Sequence, residues 1–185
     1  MAITRLGPNQ SVNLANNVTG TLPVANGGTA ITSGFVNGTP AGTLAFSAYR
    51  SGSNQTNLAN GANTELLFNA ETLDDNNVFD VSTGRYTPGI VGTYYVSAHF
   101  SINAINSTSD DVYPKIFVNG SSSSPQIGQV RHGGASSVAF TDFHTSAVIK
   151  TTNTSDYISV FVYHDAGGDR SLQELLGWYS GFRLE

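Results

Sequence analysis

The run Gly92-Thr93-Tyr94-Tyr95-Val96-Ser97-Ala98-His99-Phe100-Ser101-Ile102-Asn103-Ala104 alternates between two chemistries with a period of two. Tyr94, Val96, Ala98, Phe100 and Ile102 point one way; Thr93, Tyr95, Ser97, His99, Ser101 and Asn103 point the other. That periodicity predicts a long strand with one face in a core. Burying one such large apolar side chain is worth roughly 1.5–3 kcal/mol, so this face alone can anchor a sheet. Thr87-Pro88-Gly89 supplies a turn just before it.

The rest of the second part of the chain repeats the theme in shorter pieces. Residues 44–50, 64–69, 78–81, 112–118, 139–150, 156–164 and 177–184 read as strands, and 126–131 as a short one. Ser82-Thr83-Gly84 and Asn119-Gly120 mark turns between them, and Pro114 predicts an edge or a bulge. Residues 51–63 and 121–137 read as polar loops, and Gln173-Glu174-Leu175-Leu176 as at most one helical turn. Trp178, Phe182 and Leu184 recur at spacings of two and four, which places the last strand inside a sheet. Many short strands with turns at near-regular spacing predict an all-β fold, an antiparallel two-sheet sandwich or jelly roll, over residues 43–185.

Residues 1–42 differ. Their apolar residues, Ile3, Leu6, Val12, Leu14, Val18, Leu22 and Val24, follow no helical spacing and cannot bury enough by themselves to fold. They form either a disordered tail or an extended arm that orders against other chains.

Composition narrows the function. Of the 185 residues only 11% are charged, against about 25% in ordinary soluble domains. Asn, Ser, Thr and Gly fill the gap, a surface suited to fibrous or tightly assembled proteins. The net charge of −5 and the lack of a basic cluster exclude a nucleic-acid stripe. With no cysteine there are no disulfides and no thiolate metal sites. No apolar run approaches the ~20 residues of a membrane span, and Met1 to Pro8 lacks a signal-peptide core, so the expectation is a protein made in a cytosol and not exported by the ordinary secretory route.

No catalytic constellation emerges, and no cofactor is expected. His99, His132, His144 and His164 lie at no metal-ligand spacing; His99 gathers a metal only if three copies meet at an axis. Asp74-Asp75 and Asp110-Asp111 read as solvated loops rather than calcium ligands. Gly167-Gly168-Asp169-Arg170 has no following helix to make a phosphate cradle. No nucleophile elbow accompanies the Ser, His and Asp residues, and no enzyme is expected. In 156–164 both faces are apolar: Ile158, Val160 and Val162 on one, Tyr157, Phe161 and Tyr163 on the other. The second set lies under a loop, against a neighbouring subunit, or forms a ligand platform. Tyr95 and His99, with Tyr157, Phe161 and Tyr163, are the candidates for contact with other copies of the chain, which become trimer-interface candidates under the resemblance described next. Arg131, His132 and Arg170, in polar loops, are the receptor-contact candidates.

Two resemblances organise these readings. Gly20-Thr21-Leu22-Pro23-Val24-Ala25-Asn26-Gly27-Gly28-Thr29 resembles a segment of bacteriophage tail fibres, with Ala30 where those proteins carry another Gly. There it belongs to slender trimeric shafts or collars before a distal knob. From Phe46 to Leu184 the chain resembles the globular head of complement component C-one-q, in the tumour-necrosis-factor-like jelly-roll superfamily. The carrying motifs are Phe79-Asp80 followed by Gly84, Tyr86-Thr87 and Gly92-x-Tyr94, then Asn119-Gly120, then Ala147-Val148-Ile149-Lys150 with Asp156-Tyr157-Ile158, and finally Tyr179-Ser180-Gly181-Phe182-Arg183-Leu184. The chain has one extra residue before Gly92, and Ser155 replaces a Gly. The resemblance implies a homotrimer about a three-fold axis, with residues 1–42 in place of the collagen stalk of secreted relatives. Together the two imply a bacteriophage virion protein assembled in host cytoplasm: a tail fibre or appendage whose head recognises a host-surface glycan or protein, with residues 1–42 joined to other virion proteins. A trimeric capsid decoration or head fibre is the alternative.

Overall fold

The computed structural model describes residues 44–105, 107, 109–120, 132–133 and 140–184, all within one compact unit, Ala41–Glu185. Its strands are β1 (Phe46–Tyr49), β2 (Gln55–Leu58), β3 (Asn63–Glu65), β4 (Ala70–Asp74), β5 (Phe79–Asp80), β6 (Arg85–Tyr86), β7 (Thr93–Asn103), β8 (Asp111–Val118), β9 (His132–Gly133), β10 (Phe140–Lys150), β11 (Ile158–His164) and β12 (Arg170–Arg183). They form two antiparallel sheets. The first runs β10-β7-β12-β1-β4 with β2 paired to β12, the second β5-β6-β11-β8-β9 with β3 paired to β11. Neighbours in each sheet are mostly distant in sequence, so the chain crosses repeatedly between the layers, as in a jelly roll.

The alternating run becomes β7, the centre of the first sheet. It pairs with β10 without a break from Thr93↔Lys150 to Asn103↔Phe140. Tyr94, Val96, Ala98, Phe100 and Ile102 are all fully buried between the sheets. Opposite them the second sheet contributes Val112, Ile116, Ile158, Val160 and Val162. Aromatic rings fill the middle of this core. Phe46 stacks on Phe79 at 4.7 Å and meets the edge of Tyr179 at 4.7 Å. The buried phenols are satisfied: Tyr86 donates to the Leu44 carbonyl at 2.6 Å and Tyr179 to that of Ile158 at 3.1 Å. Desolvation pushes both hydroxyls far above the usual tyrosine range, so they stay neutral donors.

Three local expectations give way. The polar stretch 51–63 contains β2, and β4 forms from Ala70–Asp74, where the sequence shows no alternation. The strand expected over 64–69 ends at Glu65. Gln173-Glu174-Leu175-Leu176 is not helical but an irregularity inside β12: Leu172 pairs with Ile102 and Gly177 with Phe100, so residues 173–176 stand against Ser101 alone. Backbone bonds decide this outcome. Leu175 N–H donates to the Arg50 carbonyl and Glu174 N–H to the Asn54 side chain, both at 2.9 Å. Leu175 consequently adopts φ 58°.

Candidate interaction faces

The outward face of the first sheet is built in rows by strand register. One row reads Val148-Tyr95-Phe182, the next Ser146-Ser97-Ser180-Ser47, the third His144-His99-Trp178-Tyr49. Aromatic rows thus flank a row of serines. Neighbouring rings touch: Tyr95 and Phe182 lie 5.7 Å apart, and the His99 imidazole stacks on the Trp178 indole at 6.2 Å. His144 meets Trp178 edge-on at 6.5 Å, and its Nε2 lies 3.1 Å from the Ser97 hydroxyl. Despite these contacts Val148 is 59% exposed, Trp178 43% and Phe182 39%. Single exposed apolar residues are ordinary, but Val148, Trp178 and Phe182 share one face of the sheet.

Two glycines of β12 shape this face from behind. A Cβ on Gly181 would lie 2.8 Å from Val96 Cγ1 and 2.9 Å from Phe46, and one on Gly177 2.6 Å from the His99 carbonyl. Only glycine lets β12 seat against β7 there.

The outward face of the second sheet carries the other aromatic set. Phe161 packs on Phe117 at 4.7 Å, apart from the main core. Tyr157 holds the Arg85 guanidinium 4.2 Å from its ring centroid, and Arg85 clasps both Glu65 oxygens, at 3.0 and 2.9 Å. Tyr163 and Tyr113 meet at 5.7 Å. The five interface candidates therefore divide. Tyr95 and His99 share the first face; Tyr157, Phe161 and Tyr163 share the opposite one. Sequence reasoning missed Trp178, Phe182 and His144 as members of the first face, because only strand register sets them beside Tyr95 and His99.

The loop candidates also separate. Arg170 turns back on its own loop, donating to the carbonyls of Asp169 and Ala166. Arg131 lies outside the described residues, and His132 is described only as backbone of β9, opposite Val112. The acidic pairs support turns: Asp74 accepts the N–H groups of Val78 and Phe79, and Asp110 that of Ser107. Among the described residues no three His, Asp or Glu side chains group as a metal site requires.

Known structures resemble this sandwich. Murine APRIL, crystallised at pH 5.0, superposes with a TM-score of 0.57 at 10% identity, covering 78% of this chain and all (100%) of that one. The described residues have a tumour-necrosis-factor-like jelly-roll fold. Eiger TNF from S. frugiperda matches at a TM-score of 0.50 and 11% identity, over 78% of this chain and 94% of its own. PRD1 vertex protein P5 matches at 0.53 and 14%, over 79% of this chain and 100% of its own. No family model and no curated protein matches the sequence. The likeness therefore rests on three-dimensional arrangement alone.

Proposed function

We propose that this chain is a bacteriophage virion structural protein, a homotrimeric tail fibre or similar appendage whose jelly-roll head recognises the host surface. The observation that carries the reading is the exposed aromatic face on β7, β10 and β12 of a tumour-necrosis-factor-like sandwich. Three such faces around one axis cover Tyr95, His99, Trp178 and Phe182. Residues 1–42, with their tail-fibre-like segment, form the shaft or attachment arm and join other virion proteins. Assembly takes place in the host cytoplasm. Trimerisation places three weak sites on one rigid platform, so affinity for a repetitive surface rises by avidity.

The likeness to a vertex protein favours a second reading, a capsid decoration or head fibre in which the arm grips the shell. Binding to host cells separates the two. A recognition head retains cell binding when residues 1–42 are removed and competes with adsorption of the intact virus. A decoration protein binds no cells, and cryo-electron microscopy finds it on the shell instead of the tail.

A further inference from the structure

Lys115 is a cation in an unusual place. It projects from β8 on the outward face of the second sheet, yet it is only 6% exposed. Across β11 in the same row stand Phe161 and then Glu65. Glu65 is the carboxylate a lysine here would take, but Arg85 holds both of its oxygens. Lys115 reaches instead to a neutral acceptor, with Nζ donating to the Asn63 side-chain oxygen at 2.9 Å. Lys115 forms no ion pair with a described carboxylate: Glu65 is taken by Arg85, and Asp111, on the same face, accepts from the Tyr113 hydroxyl at 3.3 Å. An ammonium has three donors, and Asn63 takes one.

Beside the ammonium stand two rings. Its nitrogen lies 5.2 Å from the Tyr163 centroid and 5.8 Å from that of Tyr113. The three side chains come together because Asn63, Tyr163 and Tyr113 occupy one cross-strand row of β3, β11 and β8. Asn63 is exposed and both tyrosines are half-buried, which leaves the group open to solvent at the Asn63 end. Desolvation holds the ammonium below the usual lysine range, the condition in which an incoming anion gains most.

A desolvated cation with spare donors, next to two aromatic faces and an amide, suits one ligand chemistry. The pyranose C–H face packs on a tyrosine ring, a carboxylate on the sugar pairs with the ammonium, and the amide fixes a neighbouring hydroxyl. We infer that Lys115, Asn63, Tyr113 and Tyr163 form a subsite for a hexuronic-acid unit of an acidic surface polysaccharide. This rests on the host-recognition reading and gives it a ligand class. It also places the ligand on the second sheet, opposite the aromatic face assigned to trimer contact.

The test compares methyl β-glucuronide with methyl β-glucoside, which differ only in the carboxylate, by NMR titration of the full chain. The expected result is at least tenfold tighter binding of the glucuronide, with shifts in the Tyr113 and Tyr163 ring protons. Lys115→Met, which keeps the stem, loses that preference. Asn63→Asp, at an exposed position that does not threaten folding, loses it too by giving the ammonium an internal partner. Equal binding of the two sugars, no binding of either at millimolar concentration, or an unchanged preference in Asn63→Asp overturns the inference. If the chain binds host cells and both variants bind equally well, the subsite fails while recognition stands; if the chain binds no host cells, the recognition reading itself fails.

Discussion

His99 and Trp178 face each other across β7 and β12 with their rings stacked 6.2 Å apart, on the outside of the sandwich. Neither is needed to fill the core, which lies on the opposite side of both strands. Their pairing is therefore free to serve a contact between molecules, and most of the expectations below turn on that division of faces.

Replacing Trp178 with Glu tests the outer face without touching the inner one. In a separate protomer the side chain is 43% exposed, so the fold should lose only about 0.5–1.5 kcal/mol, from the ring contacts with His99 and His144. In a trimer, three carboxylates are brought together out of water, with only the His99 and His144 imidazoles beside them, at a cost of several kcal/mol. The expected outcome is a folded monomer: unchanged β-sheet circular dichroism with the mass of one chain in light scattering. Trimers of normal stability would move the contact elsewhere.

Phe100→Asp tests the inner face. Phe100 is fully buried, with its ring 5.9 Å from Phe143. Truncating a core Phe costs about 3–5 kcal/mol, and a charge adds desolvation. That approaches the ~5–15 kcal/mol that holds a domain together. No soluble folded protein is expected, and recovery of a normal urea midpoint would reverse the assignment of the two faces.

Gly181→Ala adds one methyl group where Val96, Phe46 and the Tyr95 carbonyl all stand within 2.9 Å of the new carbon. Overpacking of this kind costs about 1–3 kcal/mol. The urea midpoint of the variant should fall accordingly. Full stability would mean that β12 can shift away from β7 at no cost.

Much of this architecture was legible in the sequence, and the parts that were not have physical reasons. β7 is legible because a strand buried on one face must alternate, and the spacing of Trp178, Phe182 and Leu184 by two and four marks the second half of β12. β4 was invisible because its burial pattern carries no deep alternation: Glu71, Thr72 and Leu73 are all exposed. Residues 173–176 look helical in composition, but helix propensity yields to the bonds that Leu175 and Glu174 donate to Arg50 and Asn54, which are far away in the chain. Tyr95 and His99 were recognisable as outward residues; that Trp178, Phe182 and His144 sit beside them is a matter of register, which one strand alone does not encode. For the same reason the setting of Lys115 is not readable from the sequence: Glu65, which ends its cross-strand row, lies fifty positions earlier in the chain.

Acid should loosen the turn that closes β8. The Asp156 carboxylate accepts bonds from the Asn119 side chain at 2.8 Å and from the Thr152 and Asn153 N–H groups at 2.7 and 2.9 Å. These hold its pKa down to about 2. A depressed carboxylate pKa stabilises the fold above the unfolded value of ~3.9 and loses that contribution as pH falls from about 4 through about 2. The contribution is on the order of 2 kcal/mol. Wild-type stability should therefore fall across that window more steeply than that of Asp156→Asn, which is weaker at pH 7 and insensitive there to this group. Parallel pH profiles for the two proteins would remove Asp156 from the account.

The most direct measurement is the mass of the assembled full chain in native mass spectrometry, at micromolar concentration and neutral pH. The expected species is three copies of the 19.5 kDa chain, persisting on dilution because the aromatic rows of β7, β10 and β12 are covered. A stable single chain, with Trp178 fluorescence reporting solvent contact at every concentration, would contradict the assignment of that face to self-assembly.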